Sequence, residues 1–253
     1  MGAVAILGVP MTTFCLIHGA WHGAWCWQRV TPLLEHRGIR VIAPDLPGMG
    51  EDGTALSGIT LDLWARFVAN LVEQQPEPVV LVGHSRGGIV ISQASEHVPE
   101  RIRALVYLTA FLVPDGASLW STMQQVPRDP LRPPDLVLSD DRTHSTLMPA
   151  AIRDTFYNTT SEEWAAHAAS LVGPEPMQPW LTPLRLSREG FGRVPRAYIE
   201  CLRDRAIPLE LQRRMVAATP CRVTSLNTDH SPFFSAPEAL CEQLHAMQAL
   251  TPP

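Results

Sequence analysis

Apolar residues along this chain fall into short continuous runs, separated by stretches in which they recur every three or four positions. TTFCLI at 12–17 is apolar and β-branched and stops at His18-Gly19, which predicts a buried strand followed by a loop. Trp27, Val30, Leu33 and Leu34 lie at helical spacing, Gly38 supplies a stop, and residues 39–43 predict a strand that ends in the turn-rich DLPGMG. Leu61, Trp64, Val68 and Leu71 behind Thr60 predict a capped helix, and PVVLVG at 78–83 a strand apolar throughout. A helix over 89–97, halted near Pro99, and a strand over 104–109 continue the rhythm. Strands alternating with helices in this way imply an α/β fold: a mostly parallel sheet with helices on both faces.

From about residue 114 to 193 the alternation lapses. This stretch carries Trp120, Trp164, Trp180, Met123, Met148, Met177 and many prolines, with helical patches such as 161–171 and no strand signal. It predicts a helical cap inserted into the sheet's chain path, because the rhythm then returns: strand 194–201, helix 208–218, strand 221–226 and a terminal helix over 237–249. Residues 1–253 therefore read as one domain with a cap insertion.

Composition narrows the chemistry. A length of 253 residues suits one large core, and a net charge of −5 offers no basic field for nucleic acid or an anionic membrane, so the expected partner is a small molecule. All 20 basic residues are arginine, and without a lysine amine neither Schiff-base chemistry nor pyridoxal phosphate attachment is open to the chain. The five cysteines are odd in number, widely spaced and without a CxxC pair; they read as reduced thiols of a cytoplasmic protein. MGAVAILGVP at the start is too short to span a bilayer and lacks the charged start of a secretory signal, so it reads as an extension before Met11.

Gly83-His84-Ser85-Arg86-Gly87 fits G-x-S-x-G between a predicted strand and a predicted helix, the setting in which a tight turn presents a serine as nucleophile. A serine hydroxyl needs a base, and the base needs an orienting acid. Of nine histidines, His230 follows the last strand in the loop NTDHSP, at the sheet edge where sites of parallel sheets gather. Asp204 lies between the two in sequence, just past a strand in ECLRDRAIP, whereas Asp229 is the immediate neighbour of His230 and poorly placed to reach back to its ring. Stabilising a tetrahedral oxyanion takes two backbone N–H groups, and the expected donors are Arg86, after the nucleophile, and Ala20, in the loop after the first strand. The Arg86 side chain is expected at the substrate entrance, and His18 and His22 are expected to pack and hydrogen-bond around the first-strand loop. Trp21, Trp120, Trp164 and Trp180 are the candidate pocket residues, with core packing as the alternative.

HGAWHGAWCW (18–27), DLPGMG (45–50), GHSRGG (83–88), ECLRDRAIP with Gln212 beyond it, and DHSPFFSAPEALCEQL (229–244) together resemble the α/β-hydrolase subfamily that contains plant methylesterases, salicylate-binding esterases, hydroxynitrile lyases and bacterial pyrethroid-type carboxylesterases. The resemblance implies a cofactor-free and metal-free serine hydrolase with Ser85 as nucleophile, His230 as base and Asp204 as acid, acting on a small hydrophobic ester. The hydroxynitrile lyases of that subfamily carry a lysine after the catalytic histidine and a threonine in the first-strand loop; Ser231 and Gly19 stand there instead, which disfavours cyanohydrin cleavage. Ser231 and Arg86 also replace the usual Met and Leu of the plant esterases. A carboxylesterase is expected; a lactonase or amidase on the same residues, or a small-ligand receptor with little turnover, are the alternatives.

Overall fold

The computed structural model describes residues 12–125 and 136–250, so the expected extension before Met11 lies outside the described residues. The elements are β1 (Thr13–Ile17), α1 (Thr31–Glu35), β2 (Arg40–Ile42), α2 (Leu61–Glu73), β3 (Val79–His84), α3 (Gly87–Ala94) and β4 (Ile102–Leu108). Then come α4 (Leu119–Met123), β5 (Leu136–Leu138), β6 (His144–Leu147), α5 (Pro149–Phe156), α6 (Glu162–Leu171), β7 (Glu175–Pro176) and α7 (Gln178–Leu181). The chain closes with β8 (Arg196–Cys201), α8 (Leu209–Ala218), β9 (Arg222–Leu226), α9 (Pro232–Ser235) and α10 (Pro237–Ala246).

Six strands form one sheet in the order β2-β1-β3-β4-β8-β9, and every pair in it is parallel. β1 and β3 are buried along their whole length, as a parallel strand covered on both faces must be, and this is why they are apolar throughout except for Thr13 at the start of β1 and His84 at the end of β3. The outer strands β2 and β9 are partly exposed. α2 begins at Thr60, whose hydroxyl accepts from the Leu63 N–H at 3.1 Å, and turns Leu61, Trp64, Ala65, Val68, Ala69 and Val72 inward. The helix expected over Trp27 to Leu34 divides into a 3₁₀ turn (Ala24–Trp27) and α1, because Pro32 is tolerated only in a helix's first turn and so fixes where α1 starts.

The insertion differs from expectation. It holds helices α4 to α7, but β5, β6 and β7 also form a separate antiparallel sheet, with Leu136 opposite Leu147 and Ser145 opposite Glu175. These strands are three, four and two residues long, Val137 and Leu138 are exposed, and β7 consists of a glutamate and a proline. No alternation of apolar and polar positions survives at that length to mark them. All five cysteines are free thiols, four of them buried. Among the described residues no helix is long and apolar enough to cross a membrane.

Candidate active site

Because the strands of the large sheet run the same way, their C-terminal ends share one edge. The loops leaving that edge carry Gly19 to His22 after β1, Ser85 after β3, Thr109 after β4, Asp204 after β8 and His230 after β9. Three of the four described non-glycine residues with positive φ lie here: Trp21 (60°), Ser85 (52°) and Thr109 (36°). Holding a residue there costs about 1–3 kcal/mol, which the packing around the edge must outweigh.

Ser85 sits at the turn between β3 and α3. Its N–H donates to the Leu108 carbonyl at 3.3 Å and its own carbonyl accepts from Phe111 N–H at 3.0 Å, so the strained residue is held from both sides by the β4 exit. The turn closes only because its flanks lack side chains: a Cβ on Gly83 would lie 2.7 Å from the Gly87 carbonyl oxygen, and one on Gly87 2.8 Å from the Ile17 carbonyl oxygen. Ser85 is 8% exposed and His230 1%.

His230 Nδ1 lies 2.6 Å from Asp204 Oδ2. A carboxylate oxygen can only accept, so Nδ1 carries the proton and Nε2 presents its lone pair. Nε2 is buried and makes no hydrogen bond among the described residues. Asp204 is fixed in turn: Oδ1 accepts from the N–H groups of Ala206 (2.7 Å) and Ile207 (2.8 Å), and Oδ2 also accepts from the Thr109 hydroxyl. Asp229 points elsewhere. It accepts from Thr159 N–H (2.8 Å), Thr160 hydroxyl (2.9 Å), Ser231 N–H (3.0 Å) and Ser235 hydroxyl (2.8 Å), and so anchors the insertion to the His230 loop.

His18 and His22 brace the first-strand loop. His18 Nε2 accepts from Leu46 N–H at 3.1 Å, leaving Nδ1 to donate to the Gly19 carbonyl at 2.9 Å. His22 Nδ1 donates to the Ala20 carbonyl at 2.6 Å, so its Nε2 accepts from the Tyr157 hydroxyl at 2.6 Å. Burial holds both rings neutral, pushing His22 down to about 4 and His18 well below its usual range. Neither Ala20 N–H nor Arg86 N–H donates to any acceptor among the described residues.

The Arg86 side chain departs from expectation. Instead of reaching the entrance it is fully buried, paired through Nε with Glu175 Oε1 at 2.9 Å, donating through Nη2 to the Gly19 carbonyl at 2.9 Å, and stacked 4.2 Å over the Trp64 ring. A guanidinium so buried needs a counter-charge, and the cap's β7 supplies it. Of the four tryptophans, Trp21 and Trp180 meet edge to face at 5.2 Å, and Trp21 also meets Phe156 at 5.8 Å. Trp164 stacks on Phe234 at 5.2 Å under Arg29, and Trp120 is half-buried against the core. Sequence reasoning missed Phe156, whose ring lies 5.5 Å from His230, together with Thr109, Tyr157 and Glu175. Only the adjacent aromatics Phe156-Tyr157 at the end of a helical patch could have signalled it.

The chain belongs to the α/β hydrolase family, whose model matches residues 16–243. It is 33% identical to a pyrethroid hydrolase of Sphingobium wenxiniae, covering 93% of this chain and 87% of that protein, and 35% identical to methylesterase 1 of Arabidopsis thaliana, covering 90% and 93%. Against putative methylesterase 11, chloroplastic, of Arabidopsis thaliana it is 34% identical over 94% of this chain but spans only 64% of that longer protein. Among solved structures, a pyrethroid hydrolase from Sphingobium faniae superposes with a TM-score of 0.83 at 31% identity, covering 94% of this chain and 97% of that one. Polyneuridine aldehyde esterase superposes with a TM-score of 0.85 at 29% identity, covering 94% and 99%.

Proposed function

We propose that the chain is a serine carboxylesterase that hydrolyses a small hydrophobic ester through an acyl-enzyme. The observation that carries this reading is the strained Ser85 turn at the same sheet edge as a buried His230 whose Nδ1 is committed to Asp204. Ser85 Oγ attacks the ester carbonyl carbon while His230 Nε2 takes the hydroxyl proton. The oxyanion that forms accepts from the N–H groups of Ala20 and Arg86. As the intermediate collapses, the C–O bond breaks and the alcohol leaves with the proton from His230. Water then attacks the acyl-enzyme, giving its proton to His230, and the carboxylic acid departs as Ser85 Oγ regains a proton. The Ser85–His230 hydrogen bond, not made here, is of the kind that tightens when substrate binds. Relatives named as methylesterases and a pyrethroid hydrolase support ester cleavage.

Phe156 and Trp180 of the insertion, packed on Trp21 of the first-strand loop, make the surroundings of the site apolar, which favours hydrophobic acyl or alcohol groups. Gly19 argues against cyanohydrin cleavage on steric as well as chemical grounds, since a Cβ there would lie 2.8 Å from His84 Nδ1 and 2.9 Å from Ser85 Cβ. A lactonase or amidase would use the same groups, and a receptor would keep them with little turnover. The five free thiols fit a reducing compartment, which supports a cytoplasmic location.

A fluorophosphonate probe should label wild-type protein at Ser85, and Ser85→Ala should fold yet lose turnover of p-nitrophenyl esters by about a thousandfold or more. Across an acyl series with a fixed leaving group, kcat/KM should rise about tenfold to a few hundredfold from acetate to bulkier chains. Labelling without turnover on any ester would favour the receptor, and a flat series would remove the apolar cap from substrate selection.

A further inference from the structure

We infer that the buried Arg86–Glu175 pair is a positioning device that aims the Ala20 N–H at the oxyanion, so that Arg86 serves both halves of the oxyanion hole. The inference rests on the proposed acyl-transfer reading of the site. In a planar trans peptide the C=O and N–H of one unit point in opposite directions, so whatever holds the Gly19 carbonyl also fixes the direction of the Ala20 N–H. Two donors hold that carbonyl: Arg86 Nη2 at 2.9 Å and His18 Nδ1 at 2.9 Å. The next peptide unit is held at both ends, its Ala20 carbonyl by His22 Nδ1 at 2.6 Å and its Trp21 N–H by Glu175 Oε2 at 3.1 Å. Across these two units every polar group has a partner among the described residues except the Ala20 N–H. Trp21 holds positive φ, a conformation that the Glu175 contact on its N–H helps to maintain.

The pair is poorly explained as a stability device. Replacing a buried ion pair by apolar residues of similar volume is often neutral or stabilising. Arg86 Nη1 also makes no hydrogen bond among the described residues, so the guanidinium is set for Gly19 and Glu175 at the expense of full satisfaction. Glu175 is tied down further by Trp180 Nε1 at 2.8 Å, which fixes the carboxylate on the cap side. A cation on the Gly19 carbonyl also draws electron density from the peptide and strengthens the Ala20 N–H as a donor. Through its main chain Arg86 supplies one N–H, and through its side chain it aims the other.

The test is the charge-neutral double variant Arg86→Met/Glu175→Gln, which avoids stranding a buried charge and keeps an acceptor for Trp21 N–H. With a p-nitrophenyl ester, kcat should fall about tenfold to a hundredfold while KM stays within about threefold. The inhibition constant of a trifluoromethyl ketone bearing the same acyl group, a mimic of the tetrahedral intermediate, should weaken by the same factor. A folded double variant with wild-type kcat and inhibition constant, or with its loss confined to KM, overturns the inference. If the double variant does not fold, Arg86→Lys decides instead. It keeps a cation for Glu175 but replaces the rigid planar fork, which fixes the direction of the Gly19 carbonyl, with one freely rotating ammonium, so kcat should again fall, and full activity would overturn the inference. Should wild-type protein resist fluorophosphonate at Ser85 and turn over no ester, the underlying reading fails, and the inference with it.

Discussion

His84 Nε2 donates to the His230 carbonyl at 2.8 Å, so the residue before the candidate nucleophile holds the backbone of the candidate base. The two rings lie 4.7 Å apart, and burial keeps His84 well below its usual range and therefore neutral. His84→Ala should leave the His230 loop less well fixed. We expect kcat to fall about tenfold to a hundredfold, as for a displacement of about an ångström in a reacting group, with KM little changed. Steady-state kinetics alongside a urea melt, which separates this effect from lost stability, is the check; unchanged kcat would remove His84 from the site.

Asp204 and Asp229 are both buried and acidic, yet Asp204 meets the His230 ring while Asp229 meets the insertion at Thr159. Asp204→Asn should lower kcat by up to about four orders of magnitude, because an amide can impose the wrong tautomer on His230 and cannot stabilise its cation. Asp229→Asn should lose about 1–3 kcal/mol of stability through disrupted acceptor contacts to Thr159, Thr160, Ser231 and Ser235, with kcat kept within about tenfold. If Asp229→Asn proved the more damaging to kcat, the acid assignment would be wrong.

Gly19→Thr introduces a side chain where a Cβ alone meets His84 Nδ1 at 2.8 Å. Turnover of esters should fall more than tenfold, as the loop carrying Ala20 moves away from Ser85. No cyanohydrin cleavage should appear, since Ser231 supplies no ammonium to stabilise departing cyanide. Unchanged ester turnover by this variant would contradict the steric argument, and release of hydrogen cyanide from a cyanohydrin would show that no ammonium is needed after His230.

His18, His22 and His84 are buried and neutral, with His22 shifted down to about 4. In the unfolded chain they titrate near 6.5, so below that pH the unfolded state binds more protons than the folded state. Their contribution to stability is therefore complete above pH 6.5 and is lost as pH falls toward 4. Each contributes a slope of up to roughly 1.4 kcal/mol per pH unit in that window. Urea midpoints measured from pH 7.5 down to pH 4.5 should be level at first and then drop steeply; a flat profile throughout would show that these histidines accept protons in the folded state.

How far the sequence could be read depended on whether an interaction leaves a local pattern. β1 and β3 announce themselves because strands buried on both faces are apolar at nearly every position. Ser85, Asp204 and His230 could be named as candidates because each follows a strand, and parallel strands bring such positions to one edge. β7 could not be read: Glu175 and Pro176 pair only through long-range contacts, and neither residue type favours a strand. Arg86 misled for a related reason. A charged residue is ordinarily expected in water, and its partner lies 89 positions away with no periodicity to connect them. Phe156 belongs with these, since its approach to His230 depends on how the insertion folds back over the edge.

The Arg86–Glu175 pair also constrains how the cap can be exchanged. A cap grafted from a relative would be expected to act as a replaceable module, conferring a new preference while the sheet below stays as it is. Here the insertion donates a buried carboxylate to Arg86, the residue after Ser85, and a graft without an acid at that place would leave a guanidinium uncompensated in the interior, at a cost of about 3–5 kcal/mol. Substitution of Arg86 and replacement of the cap must therefore occur together, and the turn that holds Ser85 and the insertion above it can change only as one inherited unit.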